Sequence, residues 1–351
     1  MSHSPARVRD LGIVPGVMPP GSNNSITDVD GVTVGQVTLR EGADIRTGVT
    51  AIVPTQLRER KMLRAGLFVG NGFGKLVGAT QLAELGAIET PIVLTGTLSA
   101  FKAADALVTW MLVQPGNEEM RTVNPIVGET NDGFLSDIRA RPIAEKHVLA
   151  ALNDARSGPV AEGAVGAGTG TSALGFKAGI GTSSRVVLQT GSPEQVTIGV
   201  LVQSNFSGTL TVLGTPIDAE AALRASGATS SPQDDKGGNS CMIVIATDAR
   251  IGGRQLGRLA KRAVFAMARV GADFSHGSGD YAIAFTTSGG TPIPDADLDP
   301  LFAAAMEATE EALLNSLFMA TTTAGFRDHM RHAVPHEFVQ NQLTSRGRRL
   351  A

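Results

Sequence analysis

The chain has 351 residues, 42% hydrophobic and 18% charged, with a formal net charge of −3 at pH 7, so no basic field is available to hold nucleic acid or an anionic membrane. Cys241 is the single cysteine, which excludes an intrachain disulfide and any multi-cysteine metal site. The opening residues contain no signal-peptide core and nowhere do about eighteen apolar residues run uninterrupted, so the expectation is a soluble, cytoplasmic protein with small, nearly neutral partners.

In chain order, residues 1–25 are rich in Pro, Gly, Ser and Asn and read as an extended arm. Alternation over 26–39 and the β-branched run GVTAIVP at 48–54 predict two strands. Helical spacing follows over 76–89, then the buried strand PIVLTGT, then a helix over 99–114 opened by Ser99, with Trp110 on its core face. Residues 163–185 hold seven glycines among small hydroxyl residues and read as a loop. QVTIGVLVQSN (195–205) predicts a strand ending at Ser204-Asn205. The stretch 225–239, ASGATSSPQDDKGGN, has the composition of a mobile, exposed linker. Ser240 then opens an apolar strand, SCMIVIATDA, and 252–270 places Leu256, Leu259, Ala263, Met267 and Val270 on one helical stripe. YAIAFTT predicts a further strand and about 298–320 a helix, while the tail from Pro335 is expected to fray. No fixed-period repeat interrupts this order, and length alone permits one large domain or two of ordinary size; residues 1–351 are expected to form one.

Three tempting motifs fail on their own mechanics. In Gly70-Asn71-Gly72-Phe73-Gly74-Lys75 a phosphate loop's first glycine would fall on Val69, and Leu76 stands where a magnesium-binding Ser or Thr belongs. The run from Gly166 puts Thr171 at the third glycine of a dinucleotide fingerprint. His329, His332 and His336 have helical spacing, but Pro335 breaks that helix and no acidic partner motif accompanies them, so they read as surface histidines.

At Ser240 a flexible stretch runs into rigid scaffold. A serine hydroxyl is a weak nucleophile until a base takes its proton. Breaking the Asn239–Ser240 bond would give Ser240 its own α-amine, whose reference pKa near about 7.7–8.0 leaves much of it unprotonated at neutral pH. One residue would then supply nucleophile and base. The cleavage itself would begin with attack of the Ser240 hydroxyl on the Asn239 carbonyl, followed by hydrolysis of the ester. Spacing alone leaves open that Ser240 merely opens a strand after a loop.

Several separated strings occur together and in order: ITDVDGVTVG and RTGVTAIVP near the start, AEGAVGAGTGTSALGFKAGIGTSSR at 161–185, VQSNFSG at 202–208, GGNSCMIVIATDA at 237–249 and HGSGDYAIAF at 276–285. From about residue 8 to 334 the chain thereby resembles the DmpA-type family of self-processing aminopeptidases, which includes the β-peptidyl aminopeptidases. The resemblance implies a four-layer αββα sandwich, an α/β fold similar to that of N-terminal nucleophile hydrolases but of different connectivity. It also implies cleavage into residues 1–239 and 240–351, which stay together as α and β chains. Carried over residue by residue, Ser240 matches the nucleophile. Ser278 and Asp280 match the pair supporting its amine and hydroxyl, with Asp where relatives can carry Glu. Asn205 matches an oxyanion-hole donor and Glu129 the partner of the substrate's ammonium. Taken without the resemblance, Ser278 and Asp280 lie in a plain turn, Asn205 caps a strand, and Glu129 is a solvated loop carboxylate. Cys241 points away from Ser240 into the core, and His276 carries no role.

The resulting expectation is a hydrolase that takes short peptides, amino-acid amides or esters with a free N-terminus through acyl transfer to Ser240, without metal or organic cofactor. Its partners would be the substrate, its own two chains and further copies in a homo-oligomer. Two rivals differ in class. An acetyl-transferring ornithine-type enzyme of related fold would use a Thr nucleophile, and a glycine-rich binding protein would never cleave.

Overall fold

The computed structural model describes residues 4–59, 61–188, 194–228, 239–348 and 350. Strands β1 (Val32–Glu41) and β2 (Ile45–Pro54) form a tight antiparallel hairpin, paired from Val32↔Pro54 to Glu41↔Ile45. Then come β3 (Leu63–Gly72), α1 (Ala79–Leu85), β4 (Ile92–Gly96), α2 (Ala100–Leu112), β5 (Ile126–Thr130) and α3 (Glu145–Asn153). The second half supplies β6 (Ile180–Leu188), β7 (Gln195–Asn205), α4 (Ala219–Ala225), β8 (Ser240–Thr247), α5 (Gly253–Met267), β9 (Gly279–Thr286), α6 (Asp299–Phe318) and α7 (His336–Ser345).

Two main sheets result. One has the order β1-β2-β4-β5; the other runs from a two-residue edge strand, Ala87–Ile88, through β3, β9, β8 and β7 to β6. Because side chains alternate along a strand, β8 feeds two cores at once. Met242, Val244 and Ala246 join Ile52, Leu94 and Ile126 between the sheets, whereas Ile243 and Ile245 pack with Leu256 and Leu313 of α5 and α6. On the outer face of the other sheet, Val49, Ala51, Val93 and Val127 meet Leu107, Trp110, Val148 and Leu152 of α2 and α3. Helix, sheet, sheet, helix is the expected four-layer αββα sandwich. Trp110 is core, as expected, and donates from Nε1 to Asn153 Oδ1 at 2.8 Å.

Glycine excess has a packing use here. A methyl group on Gly181 would run into the Ala312 carbonyl of α6, and one on Gly66 into the Gly257 amide of α5, so bare strand backbone lets the helices lie directly on the sheet. The same glycines obscure strands in the sequence. The loop expected over 163–185 contains the first two-thirds of β6, Ile180 to Arg185, and β3 and β5, unanticipated as strands, are likewise interrupted by glycine. α3 was also unanticipated. The first strand begins at Val32 rather than 26, with a 3-10 turn at Ile26–Asp28 before it. The helix expected over 76–89 shrinks to Ala79–Leu85 because Gly78 and Gly86 take left-handed φ values of 82° and 61° on either side. Ser99 makes no side-chain capping bond. The expected frayed tail instead forms α7, seated by Val339 and Leu343 in the core.

The N-terminal arm is irregular apart from a turn at Val8–Leu11, yet it is firmly tied. Fully buried Arg185 donates to Glu311 Oε2 at 2.7 Å, to Glu307 Oε2 at 3.2 Å and to the Pro15 carbonyl at 2.9 Å. Arg9 Nε reaches Glu311 Oε1 at 2.7 Å, and the Val17 and Met18 amides donate to Glu307. Of the predicted linker, residues 229–238 lie outside the described residues.

Candidate active site

Three strand ends meet in register at one place. Asn205, last in β7, pairs with Ser240, first in β8, and Ser240 pairs with Gly279, first in β9. Period-two alternation puts Ser240 on the face of Met242 and Val244, between the sheets, and Cys241 on the helix side. Cys241 is therefore core, as expected; burial and the neighbouring Asp280 charge hold its thiol pKa well above the ordinary range, so it is not a competing nucleophile.

Ser240 is only 4% exposed. Its Oγ accepts the Gly279 N–H at 3.2 Å, and the same N–H reaches the Asn239 carbonyl oxygen at 3.1 Å. One donor thus gathers the hydroxyl and the carbonyl of the preceding peptide bond. Two residues along, Ser278 Oγ donates to Asp280 Oδ1 at 2.8 Å. The register of β9 against β3 shifts between Asp280 and Tyr281, a bulge that re-aims side chains at this end of the sheet. Asp280 is completely buried, and burial raises its pKa from 3.8 to about 6. The Ser278 hydroxyl and the Cys241 amide oppose that rise, and the charge of Asp273 adds to it. Among the described residues, Asp280 Oδ2 has no hydrogen-bond partner.

Asn205, 3% exposed, accepts the Ser172 amide on Oδ1 at 3.1 Å, which turns the Nδ2 donor end away from Ser172. Glu129 is not the solvated loop carboxylate its composition implies. It lies in β5, opposite Thr95, and is 3% exposed. Its Oε1 accepts the Lys75 amide at 2.8 Å and stands 3.6 Å from Lys75 Nζ, which itself donates to Thr97 Oγ1 at 2.8 Å. Gly74 links this carboxylate to the serine: a methyl group there would come within 3.3 Å of both Glu129 Oε1 and the Gly279 Cα, and within 2.9 Å of Tyr281 Cε2. The structure thus brings Ser240, Ser278, Asp280, Asn205 and, one glycine removed, Glu129 around one locus.

Tyr281 escaped the sequence reading. It is the only tyrosine, directly after Asp280, and burial together with Glu129 raises its phenol pKa. Its position in HGSGDY was the available signal. The failed phosphate loop also finds a use, since its Gly74 and Lys75 frame Glu129. A cavity of about 840 Å³ adjoins Asn239, lined among others by Ser172, Leu174, Phe206, Leu223 and Asp273. His276 sets its ring 6.3 Å from that of Phe73, while Ser278 has its carboxylate partner. His329 and His336 stack on Phe134 and Phe318, and His336 is buried rather than at the surface.

Comparison with known proteins agrees with this geometry. Peptidase family S58 matches residues 24–331. The β-peptidyl aminopeptidase BapA of Sphingosinicella microcystinivorans is 40% identical, over 98% of this chain and 93% of its own. Among solved structures, the PH0078 protein of Pyrococcus horikoshii superposes with a TM-score of 0.89 at 41% identity, covering 98% of this chain and all of that one. The L-aminopeptidase D-Ala-esterase/amidase of Ochrobactrum anthropi gives a TM-score of 0.89 at 35% identity over 98% of this chain and 99% of that one. That enzyme is described as a prototype of the serine aminopeptidases and a variant of the N-terminal nucleophile hydrolase fold. With the family matched across most of its length and the sandwich shared throughout, the chain belongs to peptidase family S58 and is a hydrolase.

Proposed function

We propose that the chain breaks its own Asn239–Ser240 bond and then works as an aminopeptidase and amidase whose nucleophile is the hydroxyl of the new N-terminal Ser240. The observation that carries this is the single Gly279 N–H shared by the Asn239 carbonyl oxygen and Ser240 Oγ. It holds the attacking oxygen beside the carbonyl it attacks and polarises that carbonyl. In turnover, the substrate carbonyl takes the place that Asn239 vacates. The Ser240 amine accepts the hydroxyl proton and returns it to the leaving amine, and water then releases the acyl group. Asp280, which accepts the Ser278 hydroxyl, stabilises that amine when it is protonated, and Asn205 Nδ2 donates to the oxyanion.

Glu129 gives the site its preference for a free N-terminus, pairing with the substrate's ammonium in competition with the more exposed Lys75. Substrates are then short peptides, amino-acid amides or esters. Residues 1–239 and 240–351 stay associated after cleavage because β8 lies between β7 and β9, paired with β7 from Asn205↔Ser240 to Ile198↔Thr247. No metal or cofactor takes part in these steps. The proposal extends to further copies of the chain in a homo-oligomer and to a reducing, cytoplasmic setting, with which the lone buried thiol is compatible.

The test is substitution of Ser240. Ser240→Ala yields a folded single chain without amidase activity, because no hydroxyl remains for either attack. Ser240→Cys retains some self-cleavage while peptide turnover falls, since thiolate and hydroxyl differ in nucleophilicity and leaving ability. An unbroken Ser240→Ala chain that hydrolysed amino-acid amides at the wild-type rate would refute the assignment and direct attention to Ser278.

A further inference from the structure

Asn239 is held at two points. Its carbonyl oxygen accepts the Gly279 N–H at 3.1 Å, and its side-chain Nδ2 donates to Ser275 Oγ at 3.2 Å. Ser275 is itself fixed on several sides. Its amide donates to Asp273 Oδ1 at 3.1 Å, and its carbonyl accepts Asn71 Nδ2 at 2.7 Å and the Ser278 amide at 3.0 Å. Its hydroxyl lies 3.1 Å from Ser207 Oγ, whose own proton goes to Asp273 Oδ1 at 2.6 Å. The residue before it, Phe274, sits at φ 50°, a left-handed conformation that a bulky side chain adopts only when its surroundings enforce it. Ser275 is therefore a rigid post, its backbone fastened to the end of β3 and to the turn that leads into β9 and its hydroxyl beside Ser207, just past the end of β7.

We propose that Ser275 is a positioning residue for self-cleavage and has no part in peptide turnover; this rests on the self-cleavage reading above. In the cleavage step Ser240 Oγ bonds to the Asn239 carbonyl carbon, the bond from that carbon to the Ser240 nitrogen breaks, and the hydroxyl proton ends on that nitrogen. The product is an ester bearing a free amine. Water then adds to the ester carbonyl and expels Ser240 Oγ as the hydroxyl, leaving Asn239 with a carboxylate and releasing one proton. Before attack, rotation about the Asn239 backbone would swing the carbonyl away from Oγ. A carbonyl and a side chain anchored on two separate groups cannot make that rotation without breaking a hydrogen bond. A peptide substrate arrives without the Asn239 side chain, so the post has nothing to hold in turnover. Processing and turnover thus share Ser240 and the Gly279 amide and differ in the Asn239–Ser275 clamp.

The experiment follows conversion of freshly translated full-length precursor into two fragments, and separately the kcat/KM of matured protein on an amino-acid amide. Ser275→Ala is expected to process about 5-fold more slowly, the effect of losing one ordinary hydrogen bond, with turnover per mature site unchanged within about 2-fold. Asn239→Ala is expected to slow processing similarly, and the double variant no further, because the two residues form one interaction. Ser275→Thr, which keeps the hydroxyl, restores the wild-type rate. Wild-type processing by Ser275→Ala, additive slowing in the double variant, slow processing by Ser275→Thr, or turnover that falls in step with processing would each overturn the proposal. A wild-type chain that never cleaves would overturn the self-cleavage reading itself, an outcome separate from failure of the clamp alone.

Discussion

The buried carboxylate of Asp280 predicts a pH-dependent stability that can be isolated cleanly. Its pKa rises from 3.8 to about 6 on folding, chiefly because the carboxylate loses water. At about 1.4 kcal/mol per pKa unit this is roughly 3 kcal/mol. The folded chain holds the proton more tightly than the unfolded chain, so stability falls as pH rises from about 4 to about 6 and the full cost is present above that window. Asp280→Asn removes the charge and with it the cost. The comparison belongs in the Ser240→Ala background, where no new amine forms beside the carboxylate. Asp132 and Glu162, raised to about 6 and about 7 by burial, titrate in both members of the pair and cancel in the difference. Urea unfolding at pH 4 and pH 8 should show the Asn variant gaining up to about 3 kcal/mol relative to its parent between the two. In cleaved wild-type protein the Ser240 ammonium pulls the carboxyl back down, and the pH dependence shrinks. A stability difference that is flat from pH 4 to pH 8 would refute the reasoning.

Asn205→Ala should fold and yet lose about 100-fold to 1,000-fold in kcat, the usual effect of removing one oxyanion donor, measured on an amino-acid amide. Glu129→Gln should lower kcat/KM about 10-fold to 100-fold through KM for substrates with a free ammonium, as expected for a charge-assisted bond, and should leave thermal stability nearly unchanged. Glu311→Ala strips the fully buried Arg185 of its 2.7 Å partner and should cost about 3–5 kcal/mol in urea unfolding. Since Arg9 and Arg185 precede the Asn239–Ser240 bond and Glu311 follows it, this variant should also release the two fragments at lower urea than wild type.

Much of this architecture was legible because apolar periodicity is strong where a strand is buried on both sides, as in 195–205 and 240–247. It failed where glycine replaces apolar side chains to admit a helix or a neighbouring sheet, as at Gly66, Gly128 and Gly181. The nucleophile and its neighbours were named through resemblance, since Ser278 and Asp280 alone look like a turn. What no pattern could supply was register. Only the pairing Asn205↔Ser240↔Gly279 turns three separate motifs into one locus. Glu129 shows the same limit: its sequence surroundings look solvated, while the fold buries it behind Gly74 and Lys75.

The central claim is that Ser240 acts as a newly exposed N-terminus, and the intact mass of catalytically active protein tests it most directly. Two polypeptides are expected, corresponding to residues 1–239 and 240–351 and together one water heavier than the unbroken chain, with the smaller beginning Ser-Cys-Met-Ile. A single mass for the unbroken chain in fully active protein, or a fragment beginning at any other residue, would contradict it.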